Sequence, residues 1–172
     1  MLEYIQQINK LSLGIDEHQL TDLVMNFERA EKIHLLGNGG SSAICSHLAV
    51  DLTKACDLVA FCYHDPSLLT CFSNDYGYDN AYAKIVEKYV TKDDCVVLIS
   101  SRGESENILR AAHSVHEKEA TLVTLSGFDV NNQLRSLACD QHFYVRSSNY
   151  NVVETMHQII LLQAVELLMT KK

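Results

Sequence analysis

Five short apolar runs punctuate the chain, IHLL at 33–36, LVAF at 58–61, CVVLI at 95–99, TLVTL at 121–125 and HFYV at 142–145, with helix-length stretches between them. The first four are four or five residues long and mostly β-branched or Leu, the pattern of strands buried on both faces. The intervening stretches at 41–53, 80–90, 105–118 and, more briefly, 131–137 carry helical spacing, and a longer one follows at 152–169. Strand and helix alternate, which predicts right-handed βαβ crossovers and an α/β fold with a parallel sheet covered by helices on both sides. No Pro- or Ser-rich linker, repeat or low-complexity tract divides the 172 residues. The expectation is a single domain over 1–172, with helices in 1–30 ahead of a core at 31–172.

Before the first run, Leu2, Ile5 and Ile8, then Leu20, Leu23, Val24 and Phe27, recur at three- and four-residue spacings that predict helices. The last helix carries Val153, Met156, Ile160, Leu161, Val165 and Leu168 and has little polar surface. Such a helix is buried in its own domain or packed on a copy of itself, so a homo-oligomer is expected. Pro66 follows Asp65 as at the first position of a helix. A formal charge of −8 supplies no basic stripe for a phosphate backbone and argues against direct nucleic-acid binding. Six scattered cysteines form no CxxC or metal-knuckle pattern and are expected as reduced, mostly buried thiols. The opening MLEYIQQINK has no signal-peptide character and no segment reads as a membrane span, so the expected location is the cytoplasm.

Two loops carry the chemistry. IHLL runs into Gly37-Asn38-Gly39-Gly40-Ser41-Ser42 and then a helix, a strand, glycine turn and helix N-terminus whose free N–H groups and dipole favour an anion. A Walker A loop is excluded by the missing Lys, and GxGxxG fails because Ser42 stands at the third glycine, so no nucleotide cofactor is expected. Such a turn can also be purely structural. CVVLI ends in Ser100-Ser101-Arg102-Gly103-Glu104-Ser105, three hydroxyls and a guanidinium opening another helix. Those serines could simply cap the helix. At the C-terminal ends of two strands, however, the loops would face one crevice, the usual ligand position of an open α/β sheet, and phosphate is the favoured ligand.

The strings LGNGGSSAICSHLAVDL, CFSNDYGYDNAYAKIVEKYV, ISSRGESENIL, TLSGFD and VVETMHQIILL resemble, in order and spacing, the SIS-domain phosphoheptose isomerases, from about Ile33 onward. The resemblance implies a three-layer SIS fold with a five-stranded parallel sheet and N-terminal oligomerisation helices. It also implies a homotetramer, a sugar phosphate substrate such as sedoheptulose 7-phosphate, and a role in surface polysaccharide synthesis. Carried over residue by residue, phosphate falls to Ser41, Ser100 and Ser105, with Asn38, Gly39, Asp75 and Ser101 close to the ligand. Arg102 stands where the family has a serine and is expected to join Ser41, Ser100 and Ser105 in holding the phosphate. An SxRGxS loop is similar to a related non-isomerase branch that associates with a replication initiator protein.

Aldose–ketose isomerisation passes a proton between adjacent carbons and needs a base at the C–H and an acid or metal at the oxygens. The resembled enzymes use a His-x-x-x-Glu pair on the first loop's helix with a Gln and a His eight residues apart on the last helix, a set that also binds zinc. Here these positions read His47, Asp51, Glu154 and Leu162. His47 and Asp51 share a helical face, as an ordinary surface contact also would. The expectation is a pair of neighbouring carboxylates, Asp51 and Glu154, one of them the base, with His47 as acid or metal ligand and a divalent metal such as zinc on His47, Asp51 and Glu154. Leu162 removes the family's imidazole, so a non-catalytic SIS module that binds a sugar phosphate or docks a protein is the alternative reading.

Overall fold

Successive residues of the central strands alternate between two cores, as a strand's two-residue period requires. Ile33, Leu35, Cys95, Val97, Ile99, Val123 and Leu125 face one side, while Leu36, Val96, Leu98 and Leu122 face the other. The structure is a computed structural model that describes residues 2–171. In chain order the elements are α1 (Leu2–Ser12), α2 (Glu17–Arg29), β1 (Ile33–Gly37), α3 (Gly40–Lys54), β2 (Ala60–Cys62), α4 (Pro66–Tyr76) and α5 (Tyr78–Tyr89). They continue through β3 (Cys95–Ile99), α6 (Glu106–Glu117), β4 (Thr121–Gly127), α7 (Gln133–Ser136), β5 (Gln141–Val145) and α8 (Tyr150–Thr170). All pairings are parallel, in the order β2-β1-β3-β4-β5. Helices α2, α3 and α8 fill the first core, and α4, α5, α6 and α7 the second.

One expectation is corrected. The second strand lies two residues later than the LVAF run, at Ala60–Cys62, and is half-exposed because it is the sheet's edge rather than a strand covered on both faces. A helix does open at Pro66, as expected: α4 follows Asp65, whose carboxylate accepts from the Ser67 and Leu68 N–H groups just after Pro66. The apolar face of α8 is spent within the chain: Val153, Met156, Ile160, Leu161, Val165 and Leu168 are all buried in the first core. That helix is long and apolar enough to cross a membrane, but half of its apolar window is buried inside the fold. Of the two readings of its composition, burial within its own domain is the one seen here. Of the six free thiols, Cys45, Cys56 and Cys95 are buried, Cys62 and Cys139 are half-buried and Cys71 is exposed.

Candidate active site

From β1 the chain crosses to β2 on one side, and from β3 to β4 on the other, so the strand order reverses between β1 and β3. A crevice opens at the C-terminal ends of strands where this happens. Gly37 pairs with Ile99, which sets the two polar loops side by side at that crevice. The first loop turns at Gly39, the N-cap of α3, whose φ of 54° with ψ of −120° is a conformation that side chains disfavour. Ser41 follows, buried, in the first turn of α3. The Asn38 side chain is held by a reciprocal amide pair with the buried Asn107, at 2.9 and 3.0 Å, and accepts a 2.9 Å bond from the Tyr78 hydroxyl.

The second loop opens α6. Ser105 occupies the N-cap but its side chain makes no capping bond; its oxygen accepts instead from the Ser100 hydroxyl at 3.1 Å. These hydroxyls are thus not consumed by helix capping. Asn38, Ser41, Ser100, Ser101, Arg102, Glu104, Ser105, Tyr150 and Glu154 line a cleft of about 480 Å³. Arg102 is exposed and its guanidinium lies 5.8 Å from the centre of the Phe128 ring. Free N–H groups at the starts of α3 and α6, together with the hydroxyls, make the cleft suited to an anion.

Helix α8 runs alongside α3 and brings its polar side chains to the crevice. The Glu154 carboxylate lies over Gly40, in the space a β-carbon there would need, and accepts from the Ser101 hydroxyl at 3.3 Å. One turn later, the Gln158 side-chain nitrogen lies 2.9 Å from His47 Nδ1. His47 Nε2 lies 3.2 Å from Asp51 Oδ2. In its neutral form the imidazole accepts from Gln158 and presents its Nε2 proton to Asp51. A second cleft, of about 470 Å³, is lined by Tyr4, Gly40, Ala43, Ile44, His47, Asn151, Glu154, Thr155 and Gln158. Glu154 is common to both clefts.

Of the sequence-derived residues, Asn38, Ser41, Ser100, Ser101, Arg102, Ser105 and Glu154 converge, and His47 joins them through the second cleft. Asp75 does not: its carboxylate accepts from Asn74 and Cys71 on the exposed side of α4. The carboxylate pair of Asp51 and Glu154 is also not formed. Glu154 sits over Gly40, and Asp51 follows Gly40 by eleven residues, about 16 Å along the helix axis. For the same reason His47, Asp51 and Glu154 do not gather into a metal site, and the described residues hold no group of three His, Cys, Asp or Glu fit for one. Gln158 was not legible as a functional residue from the motif, although a polar side chain one turn beyond Glu154 on an apolar helix was a signal for it.

The family model described as SIS domain matches residues 4–127. Phosphoheptose isomerase of a Nitratiruptor species is 32% identical over 93% of this chain and 89% of its own length. Phosphoheptose isomerase of Helicobacter pylori (strain ATCC 700392 / 26695) is 31% identical over 93% and 82%. The solved structure of phosphoheptose isomerase GmhA from Neisseria gonorrhoeae superposes with a TM-score of 0.88 at 25% identity, over 97% of this chain and 94% of that one. With a switch-point cleft of serines, an abutting imidazole and carboxylate, and this likeness along nearly its whole length, the chain belongs to the SIS-domain family and, within it, to the phosphoheptose isomerases.

Proposed function

We propose that the protein is an aldose–ketose isomerase acting on sedoheptulose 7-phosphate, working as a homotetramer in the cytoplasm. The observation that carries the reading is the position of Glu154, whose carboxylate borders both the serine cleft and the cleft of His47 and Gln158. The substrate phosphate occupies the serine cleft, accepting from Ser41, Ser100 and Ser105 and from the backbone at the starts of α3 and α6. The sugar's carbonyl end then extends past Glu154 into the second cleft. Glu154 removes the proton from C1 while the Nε2 proton of His47 turns from Asp51 to the oxygen on C2, giving the enediol. The C1 hydroxyl then returns a proton to His47 Nε2 and Glu154 delivers its proton to C2, with no net gain or loss of protons. In the free protein Asp51 and Gln158 orient the imidazole from its two nitrogens.

The test is proton exchange at C1 of sedoheptulose 7-phosphate in deuterated water, with deuterium appearing at C2 of the aldose product. Wild type exchanges; Glu154→Gln binds the sugar phosphate but loses exchange by about 10²-fold or more. Leu162 favours a second reading, because it is a half-buried aliphatic residue at the position where the resemblance puts an imidazole. Absence of exchange with every heptose, hexose and pentose phosphate, while one of them still binds, replaces the enzyme with a sugar-phosphate-binding module.

A further inference from the structure

The serine cleft presents a puzzle of charge. One guanidinium, Arg102, shares its lining with two carboxylates, Glu104 and Glu154, where a phosphate dianion is to bind. Glu154 accepts from the Ser101 hydroxyl and lies over Gly40. Glu104 is occupied by a single residue of α7. The Gln133 backbone N–H donates to Glu104 Oε1 at 3.0 Å, and the Gln133 side-chain amide donates to Oε2 at 2.5 Å. Both carboxylate oxygens are thereby drawn to α7.

Helix α7 is moored so that it can do this. The buried Asn132, 1% exposed, donates to Ser126 Oγ, Gly127 O and Asp129 O at 3.0, 3.2 and 2.7 Å, and accepts from the Arg135 N–H at 3.0 Å. Leu134 N–H bonds the Gly103 carbonyl at 2.9 Å. The Asn132 carboxamide fills the space a β-carbon on Gly103 would need, at a φ of 71°. Asn132 and Leu134 thus fix the phosphate loop to α7, and the residue between them holds the loop's carboxylate.

We infer that Gln133 is a positioning residue of the anion site: it keeps the Glu104 carboxylate turned to α7, so that the serine cleft takes a phosphate group without a like charge swinging across it. The inference rests on the reading of that cleft as the phosphate site. Gln133 is exposed, and replacing its side chain removes no core contact.

Isothermal titration of the full-length protein with inorganic phosphate tests it through a cycle of Gln133→Ala, Glu104→Gln and the double variant. Gln133→Ala weakens phosphate binding by about three- to tenfold at low salt. The same change in the Glu104→Gln background shifts affinity by less than about twofold, because no carboxylate remains to be released. Raising the salt to about 1 M, where the screening length is about 3 Å, closes the gap between Gln133→Ala and wild type. Gln133→Glu, which keeps the backbone donor but sets a like charge against Glu104, weakens binding at least as much as Gln133→Ala. With sedoheptulose 7-phosphate the defect falls on KM and not on kcat. Equal phosphate affinity in Gln133→Ala and wild type overturns the inference, as does an equal loss in both Glu104 backgrounds. A wild type that binds no phosphate overturns the reading of the cleft itself.

Discussion

Lowering the pH from 7 to 5 is expected to destabilise the protein through His157, and the size of the effect follows from its surroundings. His157 is fully buried on α8, three residues after Glu154. Its Nε2 donates to the Ser126 carbonyl at 3.1 Å, while Nδ1 is buried without a hydrogen-bond partner. Burial, opposed by the bond to Ser126 and assisted by nearby His142, pushes its pKa down from 6.5 to about 4. Between those values the unfolded chain binds the proton and the folded one does not, so stability rises with pH and is lost as pH falls from 6.5 towards 4. At pH 5 the loss from this one group is about 2 kcal/mol, equivalent to about 4–8 °C in Tm for a chain of this size. His142, lowered to about 4 by burial and by Arg135, adds a loss of the same sign. The comparison that isolates His157 is urea denaturation of wild type and His157→Gln at both pH values. The Gln side chain keeps a donor for Ser126 but has no proton to gain, so its stability falls by about 2 kcal/mol less than that of wild type. Identical pH dependence in the two proteins would refute the assignment of His157 as a buried neutral imidazole.

Ile160→Arg places a charge where a side chain is only 5% exposed in the first core; it is expected to cost at least about 3–5 kcal/mol and abolish the folded far-UV signal, and a folded variant would contradict the packing. Ser105→Ala removes the hydroxyl paired with Ser100 and is expected to weaken phosphate by about fivefold in a thermal-shift titration, with unchanged stabilisation counting against the cleft. Leu162→His restores an imidazole one turn beyond Gln158 and is expected to raise proton exchange on sedoheptulose 7-phosphate by about tenfold or more; an unaltered rate would mean that the remaining groups do not form a weakened isomerase site.

The parts of the fold that were legible in the sequence are those with uniform surroundings. Runs 33–36, 95–99 and 121–125 are strands with helices on both faces, and nothing but apolar side chains suits most of their positions. His34 is an exception that spacing could not interpret: it is buried within β1 because Tyr63 and Asp94, distant in sequence, take its two nitrogens. The edge strand β2 was displaced by two residues because an edge tolerates an exposed Phe61 and a half-exposed Ala60, which blurs its apolar run. Helix α4 was announced only by Asp65 and Pro66, since Phe72 is its one buried residue. At the site, the loops were legible because each is continuous in sequence. The partners of Glu154 were not: Ser101 precedes it by 53 residues, and its seat over Gly40 depends on how α8 lies along α3. Motif positions put Asp51 beside Glu154, whereas the length of α3 holds them apart.

The seat of Glu154 also bears on how this chain can vary. Any β-carbon at residue 40 would overlap the carboxylate at residue 154 where it now sits, so a side chain there requires that carboxylate to move. Gly40 and Glu154 are therefore coupled as a pair of alleles. A homologue with alanine at the first position carries the side chain at the second shortened or redirected, and Gly40→Ala in this chain swings the flexible end of Glu154 off its seat and away from Ser101 rather than breaking the fold. A change at the glycine turn is therefore read out at the acid on α8.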